Sequence, residues 1–189
     1  MIPEIILASA SPRRADILKK YGISFRQFSS NAEETGSLYP ESAAMNNAGI
    51  KALDISAKFP KGIVLGADTV IEFGDQIIGK PADVEDAVRI LKTLSGKTHF
   101  VTTGVTLLYP PKHVEIVFAE VSTITFKRID EAVIREYISK VNVLDKAGAY
   151  ALQEFPELII ESVNGDPENV IGLPYRAIES LKYLLSLFS

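Results

Sequence analysis

The sequence contains no cysteine and no tryptophan, and only two histidines, His99 and His113, among its 189 residues. The absence of cysteine excludes disulfide bonds and thiolate metal sites, and it suits a reducing cytosol, so we expect a cytoplasmic protein. Two histidines do not favour a histidine-rich metal site. No apolar run reaches the roughly 18 residues of a membrane span, so we expect neither a membrane helix nor a signal segment.

The charge balance is mildly acidic, with a formal net charge of −4 and a sequence pI of about 5.3. A general nucleic-acid binder is usually basic, so this balance predicts no nucleic-acid partner. An anionic ligand would need a local cluster of positive side chains.

The composition, 47% hydrophobic and 23% charged, is typical of a globular protein, and the length predicts a single domain over residues 1–189.

The period of hydrophobicity switches repeatedly along the chain, which predicts a mixed α/β fold. The predicted strands cover residues 4–8, 24–28, 62–73, 76–80, 100–109, 114–126 and 157–163. The predicted helices cover residues 12–21, 40–59, 83–94, 130–139 and 174–188. Gly74 and Asp75 form a two-residue hairpin signal between two of the strands.

The stretch SASPRR lies where the first predicted strand gives way to a helix with Ser11 as N-cap and Pro12 at its first position. Helix N-termini bind phosphate, and Ser9 and Ser11 add hydroxyl donors. Arg13 and Arg14 carry forked cationic donors suited to phosphate oxygens, and arginine in a first turn opposes the helix dipole unless an anion is bound. The alternative is a helix cap followed by two solvated arginines.

Asp68, in GADTV, lies inside the most apolar predicted strand, where aspartate is disfavoured. A buried carboxylate beside phosphates could bind a divalent cation or accept a proton from water. The alternative is a carboxylate satisfied by backbone donors at a strand end. Glu33 and Glu34 could supply a second carboxylate suited to Mg²⁺ or Mn²⁺, or could be solvated loop residues.

Three further side chains carry weaker signals. Lys51 falls about 20° outside the apolar stripe of the long helix 40–59, so it either extends to water or enters a polar cleft. Lys80, in IGKPAD, could be a surface lysine before a turn. Gln153 could read a base edge through its amide, which both donates and accepts, or could stabilise a turn.

Together these segments resemble the Maf family of nucleoside triphosphate pyrophosphatases. LASASPRRADIL, GADTV, GKPADVEDAVRILKTLSGKTH, LDKAGAYALQ and ESVNGDPENVIGLP occur in the order of the family and cover most of the chain. The resemblance implies an inosine-triphosphatase-like fold, with a long bent mixed sheet flanked by helices and two lobes around a central cleft. It also implies hydrolysis between the α and β phosphorus atoms, a requirement for Mg²⁺ or Mn²⁺, and a homodimer.

The resemblance assigns Asp68 as proton acceptor and metal ligand, and Glu33 as a second metal ligand. It implies substrate-binding roles for these residues: Ser9, Ser11, Arg13, Arg14, Lys51, Thr69, Lys80 and Gln153. SPRR combined with KAGAYALQ is similar to the branch that acts on dTTP and UTP. Ala151, Leu152 and the segment QEFPEL depart from the usual glycine-containing pattern and could reshape the base pocket, so a 7-methyl-GTP-preferring enzyme remains an alternative. A non-catalytic nucleotide-binding regulator of cell division, which would bind the triphosphate without hydrolysing it, is a second alternative.

Overall fold

The computed structural model describes residues 2–35 and 39–188, and all ranges below refer to these residues. Their strands are β1 (Ile5–Ala8), β2 (Arg26–Phe28), β3 (Ile63–Phe73), β4 (Gln76–Ile78), β5 (Thr98–Tyr109), β6 (Val114–Phe126) and β7 (Ile160–Asn164). Their α-helices are α1 (Pro12–Lys20), α2 (Pro40–Ser56), α3 (Val84–Leu94), α4 (Glu131–Lys140), α5 (Pro156–Ile159), α6 (Pro167–Ile171) and α7 (Tyr175–Ser186). None of these helices is long and apolar enough to cross a membrane.

The strands form one open sheet in the order β2-β1-β3-β5-β6-β7, with β4 paired to β3. β1 runs parallel to both β2 and β3, whereas the β3–β4 and β6–β7 pairs are antiparallel. The predicted mixed α/β fold is therefore confirmed. The β3–β4 hairpin turns at Gly74, whose φ of 61° suits glycine, as the sequence predicts.

Many predicted element boundaries are displaced by one to three residues, and at the starts of α3, α4 and α7 the displacement arises because the first residue of the predicted helix is the N-cap. Asp83 and Asp130 precede α3 and α4, and each accepts a hydrogen bond from a backbone N–H three residues later. One predicted strand is partly wrong: residues 157–159 belong to the helical turn α5, and β7 begins at Ile160. Pro156 occupies the first position of that turn, a location that proline favours.

The chain divides into two compact units. The first comprises the described parts of residues 1–68, 103–120 and 172–189, and the second comprises residues 69–102 and 121–171. A cluster in the first unit centres on buried apolar side chains of β1, α2 and β3, and the core of the second lies around α3, α4, β5 and β6. The single domain over residues 1–189 stays a prediction.

Helix α2 packs unusually close to the sheet of the first unit, through small residues. A Cβ atom built on Gly66 of β3 would overlap the carbonyl oxygen of Ala48 and lie 2.9 Å from the Ala52 Cβ. A Cβ on Gly104 of β5 would overlap the backbone of Ala44. Only glycine on the sheet and alanine on the helix allow this approach, so the two surfaces fix the position of α2 together.

We expect Gly66→Ala to lower the free energy of unfolding by about 1–3 kcal/mol, since the added methyl group must push α2 away from β3. Urea denaturation of the purified variant measures the change. Gly79→Ala is the matched control because a Cβ at Gly79 meets no atom within 4 Å, and it should stay within about 0.5 kcal/mol of the wild type. Equal stability of the two variants would contradict the close packing of α2.

His99 is the buried histidine of the second unit, with 1% of its surface exposed. Its Nε2 lies 2.8 Å from the hydroxyl of Tyr150, and its ring packs edge-on against Phe126 and Tyr150. Burial lowers the pKa of His99 from 6.5 to about 4 because the charged imidazolium loses its hydration. The ring is therefore neutral at physiological pH and serves the core.

Because the pKa of His99 is lower in the folded than in the unfolded chain, protonation favours unfolding, and stability is lost as the pH falls from about 6.5 towards 4. Between neutral pH and a pH below 4, protonation of His99 lowers the free energy of unfolding by about 3 kcal/mol in total. Urea denaturation at several pH values should show that the free energy of unfolding falls less steeply with decreasing pH in His99→Asn than in the wild type. His113→Asn, at an exposed turn, should keep the wild-type slope, and identical slopes in all three proteins would refute the assignment.

Candidate active site

Asp68 lies in β3 and is only 8% exposed. The parallel register pairs Ala8 of β1 with Gly66 of β3, so the chain leaves β1 at Ser9 beside the part of β3 that carries Asp68. An ionised carboxylate in such a position needs strong partners, because burial of an unpaired charge is costly. The side chains that compensate it define the candidate site.

Two side chains of helix α2 contact the carboxylate of Asp68. The Lys51 Nζ lies 2.7 Å from Oδ1, and the Asn47 amide donates to Oδ2 at 3.3 Å. The Lys51 side chain is 14% exposed, so this lysine enters the interior and does not extend to water. The alternative that backbone donors alone satisfy Asp68 is wrong, since both contacts come from side chains.

Lys51 also contacts the loop that follows β2. Its Nζ lies 2.6 Å from Glu34 Oε1, so one ammonium group bridges the carboxylates of Glu34 and Asp68. Glu33, the predicted metal ligand, is exposed, and its role stays a prediction. The sequence identified the acidic pair but could not choose between adjacent loop residues, because no periodicity fixes which of them faces the helix.

Asn47 is the residue that the sequence reasoning missed. It is 5% exposed, and its Oδ1 accepts a hydrogen bond of 2.8 Å from the backbone N–H of Thr35. A signal was present: Asn47 lies four residues before Lys51, so both side chains share one helix face, and asparagine is disfavoured in a helix interior.

The SASPRR segment holds a buried arginine. Arg14 donates from Nε to the Gly172 carbonyl at 2.8 Å and from Nη1 to Ser9 Oγ at 2.9 Å. Burial lowers the pKa of Arg14 to about 10, the charges of Asp68 and Glu34 raise it, and that of Arg13 lowers it. Arg14 therefore stays cationic at neutral pH, within the field of both acidic groups, and the alternative of a solvated Arg14 is wrong.

The other residues of the segment surround the start of α1. Ser11 occupies the N-cap position as predicted, but its side chain makes no capping hydrogen bond. Its backbone N–H instead donates to Ser9 Oγ at 3.2 Å. Gln27 donates to the carbonyls of Ser9 and Ser11 and so fixes the turn between β1 and α1. Arg13 is half-buried at the first turn, where the helix dipole favours anions.

The donor set of this site fits a divalent cation that also binds phosphate. Within residues 2–35 and 39–188 there is no group of three or more acidic, histidine or cysteine side chains that could hold a metal. Mg²⁺ commonly binds through one or two carboxylates plus substrate phosphates, and Asp68 and Glu34 already converge on one cationic nitrogen.

The remaining predicted site residues belong to the second unit. Lys80 and Gln153 are exposed, and Thr69, which follows Asp68 in β3, is half-buried. The Gly148 N–H donates to the Gly79 carbonyl at 3.0 Å, so the IGKPAD and LDKAGAYALQ segments meet.

Gly148 adopts φ 69°, and a Cβ there would lie 2.7 Å from Ile71 Cδ1, so this turn requires glycine. Lys146, in the same segment, is buried and forms ion pairs with Asp145 and Glu154. These contacts give Lys146 a structural role, whereas the roles of Lys80 and Gln153 stay predictions.

The fold and the site define an α/β protein in which a buried sheet carboxylate is compensated by a lysine and lies within the field of a buried arginine. The family model described as Maf-like protein matches residues 4–184. The chain belongs to this family.

Several curated relatives share this similarity over nearly their whole length. A protein of Akkermansia muciniphila named dTTP/UTP pyrophosphatase is 43% identical, with 94% of each chain covered. Proteins of the same name from Dictyoglomus thermophilum and Thermococcus gammatolerans are 39% and 40% identical; the matches cover 96% and 95% of this chain and 95% and 96% of theirs.

We expect Lys51→Met to destabilise the ligand-free protein, because it leaves the buried Asp68 carboxylate without its cation. Combining it with Asp68→Asn should restore part of the loss, giving a coupling energy of about 1–3 kcal/mol in a double-mutant cycle measured by urea denaturation.

The matched control is Lys58→Met, which removes the ion pair between an exposed lysine just beyond α2 and the half-buried Asp54 and should cost no more than about 1 kcal/mol. Additive effects of the Lys51 and Asp68 substitutions would contradict a direct pair.

Proposed function

We propose that this protein is a nucleoside triphosphate pyrophosphatase that hydrolyses dTTP and UTP to the monophosphate and pyrophosphate. The substrate class is supported by three relatives at 39–43% identity that carry the name dTTP/UTP pyrophosphatase. The observation that carries the chemistry is the buried Asp68 carboxylate, held between Lys51 and Asn47 and within the field of Arg14.

The triphosphate would be bound by the positive side chains of the first unit. Arg13 and the α1 start, with Ser9 and Ser11, offer cationic, backbone and hydroxyl donors, and Arg14 adds a fixed positive charge behind them. Lys51 would contact phosphate from α2 when it leaves the carboxylates. Three further roles rest on the resemblance of the motifs to those of the family. Lys80 would be another phosphate contact, and Thr69 and Gln153 would contact the base.

The proposed reaction uses Asp68 as a general base. Its carboxylate accepts a proton from water, and the water oxygen forms a bond to the α-phosphorus. The bond from the α-phosphorus to the α–β bridging oxygen breaks, and that oxygen leaves with the pyrophosphate. The positive side chains stabilise the charge that develops on the phosphate oxygens. The mechanism uses no covalent intermediate.

Asp68 and Glu34 are the residues that would hold a divalent cation, and Glu33 remains the ligand that the sequence predicts. Mg²⁺ or Mn²⁺ bound there would supply Lewis-acid stabilisation of phosphate oxygens. Glu34 and Asp68 are already oriented towards a positive charge by Lys51, so they need little rearrangement to accept such an ion. A cytoplasmic location and a homodimer stay predictions that rest on the sequence.

A nucleotide panel with identified products tests this function. The panel contains dTTP, UTP, CTP and 7-methyl-GTP, each with Mg²⁺ or Mn²⁺ and with EDTA as the metal-free arm. The expected result is release of pyrophosphate, fastest from dTTP and UTP and lost with EDTA. Orthophosphate as the first product would indicate a phosphatase, and tight nucleotide binding without product would indicate a regulator.

Asp68→Asn should lower kcat for dTTP by about 10²–10⁴-fold, since the amide keeps the size of the side chain but cannot accept the proton. Steady-state pyrophosphate release measures this loss, and the melting temperature shows whether the variant folds. Asp75→Asn makes the same chemical change in the exposed β3–β4 turn and should keep wild-type kcat. A wild-type kcat in folded Asp68→Asn would exclude the general-base role.

A further inference from the structure

Asn47 is a buried polar side chain to which the proposed reaction gives no role. It lies on α2 beside Ala43, Ala44 and Ala48, all of them buried. An asparagine in a helix interior is less favourable than alanine or leucine, because its side chain competes for backbone hydrogen bonds. A buried amide in that place is stable only when both ends of the amide find partners.

Both ends of the Asn47 amide are satisfied, and their orientation follows from the chemistry of the partners. The backbone N–H of Thr35 can only donate, so the atom that meets it at 2.8 Å must be the carbonyl Oδ1. An ionised carboxylate can only accept, so the atom 3.3 Å from Asp68 Oδ2 must be Nδ2. The amide therefore connects a loop backbone to the proposed general base in one defined direction.

This connection runs beside the lysine bridge. Lys51 joins Glu34 to Asp68 Oδ1, while Asn47 joins the next loop residue, Thr35, to Asp68 Oδ2. Asp54, one turn further along α2, accepts hydrogen bonds from the Asn31 N–H and Ser30 Oγ and holds the other end of the loop. Lys51 is charged and would also serve the triphosphate, whereas Asn47 is neutral and has no other proposed task.

We propose that Asn47 is a positioning residue that fixes the Asp68 carboxylate and anchors the acidic loop 31–35 beside it. The inference deepens the proposed function and rests on it. When Lys51 turns to a bound phosphate, Asn47 keeps Asp68 Oδ2 hydrogen-bonded and keeps Thr35, and with it Glu34, in place.

The kinetic test compares Asn47→Leu with Asn46→Leu. Leucine at 47 has a similar size and suits a helix, but it leaves Asp68 Oδ2 without the amide donor, so the variant should still fold and should melt somewhat below the wild-type temperature. It should nevertheless lower kcat for dTTP about 10- to 100-fold and change KM less than about threefold. Asn46 is exposed on the same helix, and Asn46→Leu should keep wild-type kcat. Wild-type kcat in Asn47→Leu would overturn the proposal.

Residue-resolved amide hydrogen exchange tests the hydrogen bond between Thr35 and Asn47 without any need for catalysis. The Thr35 amide should be protected in the wild type and should lose that protection in Asn47→Leu, while the Asn31 amide, held by Asp54, keeps its protection in both. Asn47→Asp should retain Thr35 protection, because a carboxylate still accepts, yet lose kcat because a second carboxyl group beside Asp68 competes with it for a proton. Equal Thr35 exchange in wild type and Asn47→Leu would refute the anchor.

Different results would overturn the proposed pyrophosphatase activity and the positioning role of Asn47. A wild-type protein that releases no pyrophosphate from any nucleotide would overturn the proposed function and the catalytic part of the role of Asn47, while Thr35 exchange still decides the anchoring part. A wild-type protein that is active, with an equally active Asn47→Leu, would overturn the inference alone.

Discussion

The contact between Lys51 and Asp68 is the interaction on which the candidate site depends. A carboxylate this deeply buried would be costly without a nearby positive charge, and Lys51 supplies it at 2.7 Å. The same ammonium group also attracts Glu34, so the lysine gathers two carboxylates that the chain places far apart in sequence. The proposed function requires this positive charge to give way to a metal ion and the substrate phosphates.

This contact is possible because α2 lies close to the sheet. Alanines on the helix meet Gly66 and Gly104, where any larger residue would separate the two surfaces. Asp68 follows Gly66 by two residues, so the tight packing also brings Asn47 and Lys51 within hydrogen-bonding reach of the carboxylate. The small residues thus serve both the stability of the fold and the geometry of the site.

The sequence predicted the elements and the central acid, but not the detailed contacts. Asp68 stood out because aspartate is unusual inside an apolar strand, and Arg14 because arginine is unfavourable in a first helical turn. Asn47 was missed, and Glu34 could not be chosen over Glu33, because both roles depend on how the loop after β2 lies against α2, a long-range arrangement that no local period encodes. Residues 157–159 were predicted as strand because their apolar pattern outweighed the helix-start signal of Pro156.

Hydrolysis as proposed here requires water to attack the α-phosphorus, since Asp68 is proposed to activate that water. Hydrolysis of dTTP in H₂¹⁸O, followed by mass spectrometry of both products, tests this requirement directly. Attack at the α-phosphorus should leave one ¹⁸O atom in the thymidine monophosphate and none in the pyrophosphate. Label in the pyrophosphate would show attack at the β-phosphorus and would contradict the proposed reaction.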